Sequence, residues 1–265
     1  MNNQLHFSPA NSKLKKLYKV PSLKPWLPSL GRSRRKIYSL DYVAGRTCPG
    51  AKDCLAYVAI KNGKRKLMHG KDQEFTCYAA ANEAQYGRTL ELHTMNWEML
   101  KDKPLIERVE IMDRSLPSDT GILRFCSSGD QWDSTQMAAC VELAKLNPSK
   151  LFYGYTKSLE YLAEHWETIK KMENLTFVAS RGGRFDHMID EYGFRESVVV
   201  FSKYRARQLG LKIDSNDSLA AQKKHHKFAL LIHGTQQAGT KSAKAWQRIK
   251  AAKAAKKGNA LEGAK

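Results

Sequence analysis

The chain has no apolar run long enough to span a bilayer, and its first residues lack the apolar stretch that a secretory signal requires. These absences point to a cytoplasmic protein with no membrane partner. Cysteine is scarce and odd in number, five in 265 residues, without the dense even spacing of a small disulfide-stapled domain. The thiols are therefore expected to be reduced or bound to metal. No internal repeat is present, which sets aside repeat architectures.

Carboxylates are missing from both ends. Residues 1–36 hold nine Lys and Arg and no acid, and residues 223–265 hold eleven with only Glu262. The ends contribute +9 and +10, which is the whole formal net charge of +19, and residues 37–222 balance at 25 basic and 25 acidic. Two basic extensions on a neutral globule suit a phosphate backbone, where binding is driven by counterion release. The candidate nucleic-acid contacts are Arg32, Arg34, Arg35, Lys223, Lys224, His225, His226, Lys227, Lys241, Lys244 and Arg248. The competing reading is a solubilising tail.

An apolar content of 42% allows one substantial domain. Residues 1–36, with Pro21, Pro25, Pro28 and interspersed leucines, read as an extended basic arm laid over it. Residues 37–239 read as the α/β domain, and 240–265 as a basic Ala/Lys-rich helical tail with little apolar surface. Six strand-like runs start at Ile37, Gly121, Leu151, Leu175, Val198 and Phe228. Helical patterns lie between them at 76–100, Ser134–Leu146, Leu159–Met172 and Phe185–Tyr192. This alternation predicts an α/β fold, a partial or complete β/α barrel of about six parallel strands.

Small and polar residues follow each strand: Ser127-Ser128-Gly129-Asp130, Thr156-Lys157-Ser158, Ser180-Arg181-Gly182-Gly183-Arg184, Ser202-Lys203-Tyr204 and His233-Gly234-Thr235. Strand ends of this kind converge on one mouth in α/β folds, although the same residues also make turns and caps. Asp130 is the foremost carboxylate, because Gly129 lets backbone approach a ligand closely. Asp133 reads as a helix cap. Asp130, Lys157 and Arg181 are the candidate catalytic residues; Ser128, Gly129, Asp130, Thr156, Ser180 and Ser202 are the candidate cofactor contacts.

Cys48 and Cys54 bracket the turn Cys48-Pro49-Gly50-Ala51-Lys52-Asp53-Cys54 after the first strand, and Cys77 follows in Cys77-Tyr78-Ala79. Three soft ligands are one short of a closed site, which is what a catalytic metal needs. Cys140, within a helical pattern, reads as core, and Cys126 as either core or a fourth ligand.

With its Cys-Pro-Gly-Ala-x-x-Cys segment, its Cys-Tyr-Ala, its Ser128-Gly129-Asp130 and its Tyr155-Thr156-Lys157-Ser158 in that order, the chain resembles the phage "gene product 88" family over roughly residues 37–235. The family's third cysteine lies nearer its second, so Leu55 to Thr76 reads as an insertion. That resemblance implies a phage protein in the cytoplasm of an infected host. More distantly the chain is similar to radical S-adenosylmethionine enzymes. By that likeness Cys48, Cys54 and Cys77 would bind three irons of a [4Fe–4S] cluster, and the fourth iron would take the amine and carboxylate of S-adenosylmethionine. Gly129 and Asp130 would hold the amine, and the Thr156, Ser180 and Ser202 loops would contact the rest of the cofactor or the substrate.

The leading expectation is therefore a metalloenzyme acting on nucleic acid or nucleotide by iron–sulfur radical chemistry. Its rival is a non-catalytic DNA- or RNA-binding protein braced by structural zinc. A third reading is a nuclease using Asp130, Asp133 and a divalent cation.

Overall fold

The computed structural model describes residues 4–30 and 33–262. A short edge strand, β1 (Phe7–Pro9), is followed by two 3-10 turns, Leu14–Lys19 and Pro21–Trp26. A small ribbon, β2 (Ser29–Leu30) with β3 (Ser33–Arg34), leads into β4 (Lys36–Leu40). A hairpin of β5 (Ala56–Lys61) and β6 (Lys64–His69) precedes three helices, α1 (Tyr78–Gln85), α2 (Gly87–Leu100) and α3 (Leu105–Ser115). Strands and helices then alternate: β7 (Thr120–Phe125), α4 (Ser134–Leu146), β8 (Leu151–Thr156), α5 (Leu159–Lys171), β9 (Leu175–Ser180) and α6 (His187–Tyr192). The chain closes with β10 (Glu196–Val200), α7 (Lys203–Gln208), β11 (Lys227–Leu231) and α8 (Lys241–Glu262).

All six expected strands are present. They form one sheet in the order β1-β4-β7-β8-β9-β10-β11, parallel except for β1. Every residue of β7 is buried, as expected of a parallel strand covered on both faces. The barrel, however, is not formed: the sheet is open. Closing it would require β11 to pair with β4, and the free edge of β4 is already taken by β1 through Phe7 opposite Leu40.

The strictly sequential strand order contains no reversal, so no crevice of the doubly wound kind arises within the sheet. Ligand chemistry is left to the loops at the strand C-termini. One face, bearing Leu40, Phe125, Phe152 and Phe177, packs on Met137, Leu143, Leu162 and Ile169 of α4 and α5. The other face, with Ile37, Ile122, Tyr153 and Val178, is covered by Leu14, Leu17, Leu23 and Leu27. Four fully sequestered leucines make the N-terminal arm part of the core, with Pro21 opening its second 3-10 turn.

Register lifts β10 and β11 above their neighbours. Phe125 lies opposite Gly154 and Gly154 opposite Phe177, but the first residue of β10, Glu196, already faces Ala179 near the end of β9. The upper halves of β10 and β11 therefore rise as a wall beside the mouth.

The expected helix over 76–100 is two helices, broken at Tyr86, whose extended backbone precedes the poor helix former Gly87. Asp133 caps α4 by accepting from the Gln136 amide at 2.7 Å. At α5 the Ser158 side chain makes no cap hydrogen bond, in keeping with Tyr161 standing where a capping box needs Glu or Gln. The tail helix α8 starts on Thr240, whose hydroxyl accepts from the Ala243 amide, and buries Ser242 and Ala243 against the domain.

Candidate functional site

A cavity of about 190 Å³ opens at the strand C-termini and is lined by Cys48, Cys54, Cys77, Gly129, Asp130 and Lys157, among others. A single water needs roughly 10–15 Å³, so the space suits a multi-atom ligand.

Three features of the chain bring the thiols there. The turn 48–54 docks across the ends of β8 and β9: the Arg184 amide donates to the Gly50 carbonyl at 2.9 Å, and the Asp53 amide to the Gly182 carbonyl at 3.0 Å. Gly50 lies so close to the Lys157 carbonyl that a Cβ would overlap it. The insertion 55–76 is a β-hairpin closed at its base, with the Gly70 amide on the Leu55 carbonyl at 2.8 Å and the Phe75 amide on the Asp53 carbonyl at 3.0 Å. Twenty-odd residues thus leave and return at one point, which sets Cys77 beside Cys54. Finally, Gln236 clamps the preceding residue, accepting from the Thr76 amide at 2.9 Å and donating to its carbonyl at 3.2 Å.

Burial pushes all three thiols above their ordinary values, with each other's charge adding to the effect at Cys48, and Cys77 reaches about 12. Without a cation they hold their protons, so a metal would displace protons on binding.

Asp130 is a strut between strand ends. Its carboxylate accepts from the Thr156 hydroxyl, the Lys157 amide and the Gln131 amide, each at 2.7 Å. Burial raises its carboxyl, and these donors hold the rise in check. Thr156 also accepts from the Ser158 amide at 3.0 Å. Thr156→Val keeps the shape and removes both bonds. It should lower stability by about 1–3 kcal/mol, read from the urea midpoint at unchanged m-value.

Gly129 has φ +75°, and a side chain there would meet Tyr42 Cβ at 2.9 Å, so the loop needs glycine for both conformation and space. Lys157 is buried, with its ammonium donating to the Ser180 hydroxyl at 3.0 Å and the Arg181 carbonyl at 2.9 Å. Cys126, also with positive φ, lines the same cavity and, like Cys140, belongs to the core.

Ser128, Ser180 and Thr156 also line the cavity, but two expected members do not. Arg181 is held by Glu196 at 2.5 Å and Asp190 at 3.1 Å. Ser202 caps α7 through the Arg205 amide at 3.0 Å and lines a neighbouring cleft. Asp133, beyond capping α4, forms a two-pronged pair with Arg108 at 2.7 and 2.9 Å.

The basic residues are dispersed. Lys223 donates to the last carbonyls of α5, including Met172, and Lys227 pairs with Glu196 at 2.6 Å. His225 and His226 precede β11, at the far end of that strand from the cavity wall. Arg34 stacks on Tyr18 at 4.4 Å, Arg35 donates to the Ser149 carbonyl at 2.5 Å, and Arg32 lies outside the described residues. Lys241, Lys244 and Arg248 stand together on α8.

Among the buried charged residues that the sequence did not announce, Glu83 and the pair Arg124–Asp217 bear on the site. Glu83, fully buried on α1, accepts from His93 at 2.7 Å, the Ser128 hydroxyl at 2.8 Å and the Ala44 amide at 3.0 Å. It ties the helix after Cys77 to the Ser-Gly-Asp loop. Arg124, on β7, donates to Asp217 at 2.6 Å, and Asp217 also meets Lys13 at 2.6 Å and the Tyr153 hydroxyl at 3.2 Å. An arginine within Gly121-Ile122-Leu123-Arg124-Phe125 was the available signal, since an apolar strand carries a cation only with a partner.

The donor set can be tested against the metals it suggests. Among the described residues, no three His, Cys, Asp or Glu side chains converge to hold one metal ion. A single zinc ion needs its ligands around one point, whereas an iron–sulfur cluster takes each thiolate at a separate iron. Cys48, Cys54 and Cys77 supply three thiols around one cavity, a donor type that both zinc and iron take.

The fold and site define an open α/β protein with a thiol-lined cavity at the C-terminal ends of sequential parallel strands. The family model described as Gene product 88 matches residues 3–256, and the chain belongs to that family. No curated protein and no solved structure matches it.

Proposed function

We propose that the protein is a phage-encoded metalloenzyme acting on nucleic acid or nucleotide, with Cys48, Cys54 and Cys77 as the ligands of a [4Fe–4S] cluster and the adjoining cavity as the S-adenosylmethionine site. The observation that carries this reading is the meeting of those three thiols with the Ser128-Gly129-Asp130 loop in one cavity. Bound and reduced, the cluster with its cofactor supplies one-electron chemistry at an unactivated C–H bond. The chain's own residues shape the place for it. Gly129 brings backbone to the cavity wall, Asp130 fixes the spacing of the β7 and β8 ends, and Lys157 places positive charge beside Cys54. Tyr78 and His233, with ring centroids 4.7 Å apart, add aromatic surface to the lining. The nuclease reading finds no support in the carboxylates, because Asp130 and Asp133 are both committed to internal hydrogen bonds.

Anaerobic reconstitution with iron and sulfide tests the proposal. The expected product is brown, binds about four irons per chain, and cleaves S-adenosylmethionine when reduced. Cys48→Ser, Cys54→Ser and Cys77→Ser should each lose both properties while Cys140→Ser keeps them. Stoichiometric zinc, no iron and no turnover would overturn it in favour of the zinc-braced binding protein.

A further inference from the structure

Beside the thiol cavity lies a second cleft of about 690 Å³, between α8 on one side and Phe201, Ser202, Lys203 and Leu231 on the other. Its composition is divided. Lys203, Lys241, Lys244, Arg248 and Lys253 stand round it, whereas Phe201, Leu231 and Ile249 supply apolar surface, and among the described residues no carboxylate lines it. None of the five cations takes part in an ion pair among the described residues. Leu231 lines this cleft and the thiol cavity alike, so the two adjoin.

We propose that the cleft is the track for a single-stranded nucleic acid, which the basic rim holds by its phosphates and the apolar floor by its bases, and which is led past Leu231 to the thiol cavity. The division of the lining selects this occupant. Five cations without an ion pair among the described residues, of which only Lys253 lies over a ring, that of Trp246 at 5.5 Å, call for a polyanion, and the apolar surface calls for exposed base faces, which a duplex keeps stacked inside itself. The last step, delivery to the cavity, rests on the function proposed above; binding in the cleft does not.

The test is fluorescence anisotropy of a labelled oligothymidylate with cluster-free protein, titrated over a range of salt. Replacing Lys241, Lys244 and Arg248 together by glutamine should weaken binding tenfold or more. The slope of log affinity against log salt should fall by about 2, from roughly 0.7 per lost phosphate contact. Lys241→Arg with Lys244→Arg should bind as the parent does, and so should Lys64→Gln with Lys66→Gln on the exposed start of β6. Unchanged affinity in the triple variant, equal competition by a duplex of the same sequence, or an equal loss in the Lys64 and Lys66 variant would overturn the proposal. So would preferential binding to anionic phospholipid vesicles. Because the assay uses no cluster, binding that persists when iron chemistry fails would count against the enzymatic reading alone.

Discussion

Asp217→Asn is expected to remove about 3–5 kcal/mol of stability, the amount typical when one partner of a buried ion pair is neutralised and the other charge stays behind. Asp217 is fully buried and touches Arg124 and Lys13, each at 2.6 Å, and of the two cations Lys13 is the more exposed. Arg124 is buried on β7, where it lines the thiol cavity. Asparagine is the informative replacement because Asp217 has φ +64°, and asparagine tolerates that left-handed conformation at least as well as aspartate. The backbone is thereby left alone, and the change falls on the charge and on one acceptor oxygen. Urea unfolding should show a lower midpoint at unchanged slope. Arg124→Met in the same chain should recover part of the loss, because no unmatched cation is then left buried at that position. The pair also sets a pH dependence. Burial alone would raise the Asp217 carboxyl, but Arg124 and Lys13 hold it below the ordinary carboxylate value. A depressed carboxyl contributes stability that is complete above the unfolded-state value and disappears as pH falls through the folded one. Acid unfolding of Asp217→Asn should accordingly be shallower than that of the parent.

The strands were legible because each is an apolar run buried on both faces, as in Leu175-Thr176-Phe177-Val178-Ala179. The hairpin at 56–69 was not. Its second strand, Lys64-Arg65-Lys66-Leu67-Met68-His69, is exposed or half-buried throughout, so it carries no alternation of apolar and polar residues to read. Openness was illegible for a different reason. Strand order and helix placement are the same in a sequential open sheet and in a barrel, and what separates them here is β1, three residues long, on the edge of β4. In the site, the thiols and the Ser-Gly-Asp loop could be read from side-chain chemistry near strand ends. Asp217 could not: it lies in a loop 93 residues from Arg124 and meets it only through the fold. Arg181 looked available because its flanking glycines suggested a flexible loop, but Glu196 and Asp190 hold it away from the mouth.

Gly50→Ala should have the largest effect on the site itself. No positive φ requires glycine at this position; the reason is space, since a Cβ would run into the Lys157 carbonyl and the Ser158 amide. Both are backbone atoms, and the same segment is fixed by the Lys157 amide on Asp130 and by the Lys157 ammonium on the end of β9. Neither side can yield cheaply, so the turn carrying Cys48 and Cys54 has to move. Overpacking of this kind costs about 1–3 kcal/mol. Its consequence for the thiols should be larger in proportion, because the Arg184 and Asp53 amide bonds that seat the turn are lost with it. Anaerobic reconstitution of Gly50→Ala should yield iron content reduced severalfold, with Cys54 reacting faster with a thiol reagent in the metal-free protein. Gly87→Ala is the control: its new methyl group meets only the guanidinium of the exposed Arg65, away from the thiols, so iron content and thiol reactivity should match the parent. If Gly50→Ala loads iron as the parent does, the seating of the turn on β8 is not what positions the thiols.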